Sequence, residues 1–494
     1  MKEFLRKKNY IEVIALFISI CAVGISVRMN FIGRSLWFDE AALAWSFSQR
    51  GFLNLTATGL DLVQAAPVGW LYILKIFVSI FANTDFVLRI PSILFYVGTL
   101  ILLYFILKNV FQTYYPMMGV AFAATLPILL QYSNVFKPYM SDCFFGLLIV
   151  LLYDFYRKDK ISTWKLGICY ALILWFSNPA CFVEGGLIGV TGLLAFIKKD
   201  WELLKKQILV CIPMGISFIL YYVYWLRKID DGMNGFWQDY KYLLPISLGA
   251  IKKDWSLTDL LFWQFYRLEY VVLILMVIGL IWAIFKQQEL ILGLYGVFAL
   301  SVFASGIGFF PVNKRMWLFI YPLVVIVVFT MLDQVISEND TFLKKQLLGV
   351  ALLGLVLVNG GIRYYANEQN VYWPGYEVKA EVEYLKSVIQ PEDKVYVFSN
   401  QRPIFAYYND YDFSTLKDTG NEVMVGTHDL NEVNDCTDDF AYIIEAKSCY
   451  IVMGDTWDEE ECSGLMFETL EEAGSLTMVY NEYDTPLFYF EANP

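Results

Sequence analysis

PVGWLYILKIFVSIF, residues 67–81, is the stretch whose status decides the topology of this chain. It is apolar but short, carries Lys75 near its middle, and follows a loop that is itself half apolar. Crossing a hydrocarbon core of about 30 Å takes about 20 apolar residues, so this run falls short. Around it lie fuller candidate spans at 11–30, 91–108, 116–134, 140–156, 165–180, 183–197, 208–226, 268–285, 290–308, 317–335 and 347–363, about eleven in all. If residues 67–81 cross, two basic clusters face away from the Lys2, Arg6, Lys7, Lys8 terminus. These are Arg157, Lys158, Lys160, Lys165 and Lys198, Lys199, Lys205, Lys206, and that arrangement breaks the positive-inside rule. If the run is re-entrant or interfacial, every cluster, with Lys344 and Lys345, falls in the cytoplasm. We take the second arrangement. It puts the N-terminus inside, and the C-terminal segment outside with the loops at 31–90, 135–139, 227–267 and 309–316.

Composition supports a polytopic membrane protein. Of 494 residues, 57% are hydrophobic, 18% aromatic and only 17% charged, with mean hydropathy +0.49. Disorder and most soluble folds are excluded by that balance. The net charge of −12 conceals a division: from Ala366 onward 27 acidic residues face 6 basic ones, a net −21 that leaves about +9 for the rest. A basic membrane body suits retention of cytoplasmic loops and lipid substrates that carry phosphate, and an acidic tail argues against nucleic acid as a partner. The N-terminal MKEFLRKKNY and its apolar run read as an uncleaved first helix, because no small-x-small site precedes Trp37.

Cys21, Cys143, Cys169, Cys181 and Cys211 lie in apolar segments and read as packing residues. Cys436, Cys449 and Cys462 lie in the tail, where an odd number allows at most one intrachain disulfide, and no C-x-x-C pair suggests a metal. The single histidine, His428, reads as a surface residue.

Two domains follow: a membrane domain, residues 1–365, and an acidic extracytoplasmic α/β domain, residues 366–494. In the tail, EVKAEVEYLKSVI (377–389) has helical periodicity and KVYVFS (394–399) alternates as a strand. RPIFAYYN (402–409) reads as a helix, and FAYIIEA (440–446), SCYIVMG (448–454) and PLFYFEA (486–492) as strands. No Gly-rich phosphate loop is present, and the domain is expected to be accessory, without catalytic residues. In the first outer loop, LAWSFSQRGFLNL (43–55) suits an amphipathic helix on the membrane surface, and the Trp- and Tyr-rich loop 227–269 reads the same way.

The chemistry concentrates in GRSLWFDEAALAW (33–45), where Asp39 and Glu40 are adjacent acids in an apolar, aromatic setting. Alone, they could simply favour a helix N-terminus. Their company is QAAPVGWLYILK (64–75), DFVLRIPS (85–92), SNVFKPYMSD (133–142) and PVNKRMWLFIYP (311–322). In order and spacing over nearly the whole chain this set resembles the GT-C glycosyltransferases, and within them the protein mannosyltransferase and aminoarabinose transferase-like group, that is, glycosyltransferase family 39. The resemblance implies a GT-C-like membrane fold with interfacial helices. It also implies transfer of a sugar, with inversion, from a polyprenyl-phosphate donor to a hydroxyl acceptor on the outer face of the bacterial plasma membrane. The acceptor would be a cell-surface glycan, a wall polymer, a lipid or a protein.

The residues fit that chemistry. Inverting transfer needs a carboxylate to take the acceptor proton while phosphate departs from the opposite face of the sugar. By match to the family's first-loop acid, Asp39 is the base, and Glu40 orients the acceptor, helps hold a metal or is a solvated neighbour. The departing phosphate needs cations, and Lys137, Arg315, Lys314 and Arg89 are the candidates, or else they snorkel to lipid headgroups. Lys137, Pro138 and Tyr139 resemble the family's basic-Pro-Tyr segment, with Lys in place of Arg. Asp142 could orient Lys137 or join Asp39 around a divalent metal. Metal dependence is left open, because family members differ. One departure is notable: where the aminoarabinose transferases carry a Lys ahead of the Pro-led helix, this chain has Gln64, Ala65, Ala66. Lipid A is therefore not carried over as acceptor. The competing classes are a transporter or flippase for polyprenyl-linked glycan, which would distribute ionisable residues through several spans or show inverted repeats, and a non-catalytic scaffold.

Overall fold

In the computed structural model the described residues are 10–228, 265, 268–311, 314–334, 344, 346–347, 349–354, 356–357, 377–426, 437–453, 462–482 and 485–493. Most of the loop 227–269, part of the expected span 347–363, the boundary at 365/366, His428 and Cys436 lie outside them. In chain order the main helices are α1 (Tyr10–Ile32), α2 (Phe38–Gln49), α3 (Val68–Ile80), α4 (Asp85–Phe105), α5 (Pro116–Ala124), α6 (Pro127–Tyr132) and α7 (Tyr139–Arg157). Then come α8 (Thr163–Ile173), α9 (Ala180–Ile197), α10 (Trp201–Tyr221), α11 (Glu269–Phe285), α12 (Glu289–Gly306) and α13 (Ile320–Gln334). The tail adds α14 (Val378–Val388), β1 (Lys394–Val397), α15 (Arg402–Tyr408), β2 (Val423–Val425), α16 (Thr437–Glu445), β3 (Ser448–Val452), α17 (Cys462–Ala473), β4 (Gly474–Glu482) and β5 (Thr485–Ala492).

The chain forms two compact units. One comprises Met1–Phe31, Ala65–Ile80 and Leu88–Val371, the other Ile32–Gln64, Phe81–Val87 and Tyr372–Pro494. Residues 32–64 and 81–87 thus fold with the tail, a grouping in space that a single boundary along the chain does not describe.

The first unit is a helical membrane body. Among the described residues six helices are long and apolar enough to cross a bilayer: Tyr10–Ile32, Asp85–Val110, Tyr139–Arg157, Ala180–Ile197, Trp201–Leu226 and Glu289–Gly306. Shorter apolar helices are Val68–Ile80, Thr163–Ile173, Tyr270–Phe285 and Ile320–Gln334. The expected span at 116–134 is broken, because Pro127 disfavours helical backbone at Leu126 and the chain restarts as α6. The expected span 165–180 is likewise shorter, ending at Ile173 before a turn through Ser177.

Burial follows the solvent. Helix α13 is buried all round, from Ile320 to Met331, and is the central helix. On α10, Ile208, Ile212, Ile216 and Ile219 are exposed at helical spacing, the stripe a lipid-facing helix presents. Helices α9 and α12 approach closely through small residues. A Cβ on Gly186 would fall 2.4 Å from the Val297 nitrogen, and one on Gly296 would fall 2.7 Å from the Gly186 carbonyl oxygen.

Hydrogen bonds sort the helix ends. At one end, Ser26 and Ser133 share a hydroxyl–hydroxyl bond of 2.6 Å, Ser92 donates to the Val135 carbonyl at 2.7 Å, and the Trp70 and Phe136 rings lie 5.7 Å apart. At the other, Glu12 accepts from the Met117 amide at 3.1 Å and Asp333 from the Tyr114 amide at 2.6 Å. Lys158 donates there to the Asn109 carbonyl at 3.3 Å, and Arg157 and Lys198 both pair with Glu289, at 3.7 and 3.3 Å. Arg157, Lys158 and Lys198, drawn from both basic clusters, therefore gather at the end where α1 begins. Helix α3 starts at the opposite end, beside Phe136, and α4 starts again at that same end, where Ser92 reaches Val135. With 13 residues, about 20 Å, α3 is shorter than a hydrocarbon core of about 30 Å.

The second unit carries a five-stranded sheet of order β2-β1-β3-β5-β4. β2, β1 and β3 are parallel, whereas β5 runs antiparallel to both β3 and β4. Its core joins Tyr396, Phe440, Ile443, Ile451, Met466, Leu470, Phe488 and Phe490. FAYIIEA, expected as a strand, forms α16 instead: Phe440 and Ile443 are buried three residues apart, the spacing of a helix face, and a run of apolar residues without alternation does not specify a strand. Helix α2 belongs to this unit, with Ala41–Ala44 and Phe47 buried and Trp45 packed on Tyr411 and Phe413 at 5.6 and 4.6 Å. In the segment expected to lie on the membrane surface, Leu43, Ala44, Phe47 and Leu55 are covered by protein, whereas Phe52 and Leu53 are exposed.

Candidate functional site

Asp39 and Glu40 occupy the first turn of α2, where carboxylates oppose the positive end of the helix dipole. The two do different things. Glu40 is buried, and its Oε2 accepts from the Trp37 amide at 3.3 Å, the returning half of a capping box that satisfies an orphan donor at the helix start. Asp39 is half-buried, and its Oδ1 accepts from the Gln64 side-chain amide at 3.3 Å. Gln64 is placed by the turn at Asp61–Val63, itself fastened to α2: Asp61 accepts from Ser46 Oγ at 2.9 Å and pairs with Arg50 at 2.8 Å. The sequence drew attention to Gln64 only as a departure from a family Lys. Its contact with Asp39 depends on the 61–63 turn, which no short motif announces.

The remaining candidates lie in the membrane body. Lys137 sits in the loop between α6 and α7 and is only 4% exposed, and Arg89, on α4, is 6% exposed. Ser92, one turn after Arg89 on the same helix face, bonds the Val135 carbonyl two residues before Lys137, so Arg89 and Lys137 share one end of the body. Tyr139 opens α7 and packs edge-on against Tyr132 at 5.2 Å. Asp142 follows in the first turn of α7, 7% exposed, with its Oδ1 lacking a hydrogen-bond partner among the described residues. Ser177 neighbours its carboxylate.

Arg315 precedes α13, whose Tyr321 lies within electrostatic reach of Tyr132 and Cys143. The start of α13 thus meets the start of α7, which brings Arg315, half-buried, to the end of the body that holds Lys137. Lys314 beside it is exposed.

Aromatic and polar groups furnish this end further. Gly69 donates to the Trp175 carbonyl at 2.7 Å, and a Cβ there would strike the Phe176 ring at 2.4 Å, so glycine lets α3 approach. Trp225 donates to the Ala66 carbonyl at 2.8 Å, and Tyr221 to Asn178 Oδ1 at 2.8 Å. Among the described residues no three His, Cys, Asp or Glu side chains gather as a metal site.

Residues 65–225 match the family described as dolichyl-phosphate-mannose-protein mannosyltransferase. That segment contains Arg89, Lys137, Tyr139 and Asp142. In fold the chain is similar to ArnT from Cupriavidus metallidurans bound to undecaprenyl phosphate, with TM-score 0.56 at 10% identity over 97% of each chain. The apo state of that ArnT gives TM-score 0.54 at 10% identity, over 95% of this chain and 97% of that one. Comparison with curated protein sequences finds no match. The expected fold class holds: the architecture is that of a GT-C membrane protein with a small C-terminal α/β domain.

Proposed function

We propose that this chain, whose fold is that of the GT-C glycosyltransferases, moves a hexose or pentose from a polyprenyl-phosphate donor to a hydroxyl acceptor. The observation that carries this reading is the pair of buried cations, Arg89 and Lys137, with Arg315, at one end of a lipid-facing helical body and largely within the segment that matches the mannosyltransferase family. Cations held at a membrane end suit a lipid phosphate, whose oxygens gain charge as it departs. ArnT of the same fold holds undecaprenyl phosphate, which supports a carrier of that class here.

In the mechanism, the acceptor hydroxyl gives its proton to the Asp39 carboxylate as its oxygen bonds to the anomeric carbon. The bond from that carbon to the phosphate oxygen breaks, and polyprenyl phosphate leaves with the bonding pair. Arg89, Lys137 and Arg315 hold the charge that accumulates on its oxygens. Tyr139 offers a hydroxyl to the same headgroup, and Asp142 orients Lys137. Gln64 donates to one oxygen of the Asp39 carboxylate and so helps to orient it. If a divalent metal serves, Asp39 and Asp142 are the acids to hold it. Glu40 sets the start of the helix that carries the base.

The chemistry is placed on the outer face of a bacterial plasma membrane, with the N-terminus cytoplasmic, the membrane domain at 1–365 and the C-terminal domain, from about residue 366, outside. Collection of Arg157, Lys158 and Lys198 at the end where α1 begins supports that orientation. The acceptor is a surface glycan, wall polymer, lipid or protein.

Membranes overproducing wild type or Asp39→Asn, supplied in parallel with several radiolabelled polyprenyl-phosphate sugars and native acceptor extract, test the reading. One donor should label a product with wild type and not with the variant. Equal labelling by both would remove Asp39 as the base, and donor binding without labelling would favour transport or a scaffold.

A further inference from the structure

The chain just ahead of Asp39 is held at three successive residues by the tail. Arg34 pairs with Glu377 at 3.8 Å, Ser35 Oγ accepts from the Lys379 amide at 2.8 Å, and the Leu36 amide donates to the Tyr408 hydroxyl at 2.7 Å. All belong to one compact unit. Leu36 is fully buried and Ser35 is 6% exposed, so these bonds are sheltered from water, and an unmet Leu36 amide would have no solvent to turn to. A second layer supports the same contact: Trp45 of α2 packs on Tyr411 and Phe413, which follow Tyr408 in the chain, and Arg402 lies over the Phe413 ring at 4.6 Å. The segment 81–87 is tied in as well, with Asp85 accepting from Lys379 Nζ at 3.2 Å and Asn83 donating to the Tyr411 hydroxyl at 2.6 Å.

We propose that the C-terminal α/β domain is a positioning part of the catalytic centre, with Tyr408 as the positioning residue that fixes the 34–36 segment and through it the helix start carrying Asp39. The inference rests on the reading of Asp39 as base. Chemically, a general base works only if its oxygen is held on the acceptor's line of approach, and a displacement of about 1 Å is costly. Three residues after Leu36 comes Asp39, with one peptide anchored to Tyr408 and the next turn begun by Trp37 and Glu40. A tail that merely covered or decorated the molecule would have no need to hydrogen-bond backbone and side chain of the residues leading into the first turn of α2.

The test is Tyr408→Phe, which removes one hydroxyl and keeps the ring, compared with wild type and Asp39→Asn in full-length protein. Two readouts are taken: steady-state transfer with donor KM and kcat resolved, and hydrogen exchange of the Leu36 amide. The proposal expects kcat to fall about tenfold with donor KM unchanged, since the cations are untouched, and Leu36 exchange to accelerate about tenfold or more. Faster exchange with unchanged kcat would overturn it, as would a raised donor KM at unchanged kcat. Unchanged exchange would overturn it too, because the hydroxyl would then not be holding the segment. The two readings fail separately. An active Asp39→Asn removes Asp39 as base whatever Tyr408 does, whereas an inactive Asp39→Asn beside a fully active Tyr408→Phe removes the positioning role alone.

Discussion

At the scale of single residues, the adjacent acids 39 and 40 looked alike in sequence and separate by contact. Glu40 closes a helix cap, whereas Asp39 keeps partial exposure and a neutral donor at its side. Asp39→Asn should lower kcat by about 10²–10⁴-fold, the range that general-base catalysis supplies, with little change in donor KM. Gln64→Glu offers a sharper check. It would set a second carboxylate about where an amide now stands, and like charges disfavour ionisation, so the acidic limb of the kcat/KM profile should move to higher pH. An unmoved limb would mean that the group titrating in that profile is not Asp39. Lys137→Ala should raise donor KM at least tenfold, and Lys137→Arg should restore much of the loss, since either cation can face a phosphate.

At the scale of elements, two packing arguments are open to measurement. Gly296→Val puts a branched side chain against the Gly186 carbonyl and should abolish folded protein, read as loss of monodisperse material after extraction. In α14, Glu381 is fully buried, and neither carboxylate oxygen has a hydrogen-bond partner among the described residues. Burial pushes its pKa well above the usual carboxylate range. The folded state therefore holds a proton that the unfolded chain releases near pH 4.3. The stability tied to that proton is complete below that pH and is lost as pH rises toward the folded value. Glu381→Gln should raise the Tm of the tail domain more at pH 8 than at pH 5. Equal gains at both would show that the carboxyl is not buried as described. Elements also mark how far the sequence could be read. SCYIVMG and PLFYFEA, continuous apolar runs, are both strands, but FAYIIEA, a run of the same kind, became α16, because such runs do not by themselves separate strand from helix. β4 went unread although Leu476, Met478 and Tyr480 recur at every second position, and its residues are mostly exposed or half-buried.

At the scale of the whole molecule, what sequence conveyed best was the solvent. Hydropathy located the helices and basic residues gave a sidedness, because both answer to a bilayer that acts on every span alike. Candidate cations could be named from motif order, and three of them, Arg89, Lys137 and Arg315, are found toward one end of the membrane body. What sequence did not convey was the partition into two units. The contacts that join residues 34–36 to 377, 379 and 408 are separated by more than 300 positions, and no local pattern encodes a pairing of that range. The Gln64 contact escaped for the same reason on a smaller scale, since the turn that delivers it is irregular.

The central claim, that this fold transfers a sugar rather than moving a lipid, is tested most directly by stoichiometry. Purified wild type in liposomes would be given a doubly labelled polyprenyl-phosphate sugar and an acceptor extract, and free polyprenyl phosphate would be counted against sugar joined to acceptor. The account predicts one carrier phosphate released for each sugar transferred, and neither product from Asp39→Asn. Labelled sugar that changes leaflet while still bonded to its carrier, in wild type and variant alike, would contradict it.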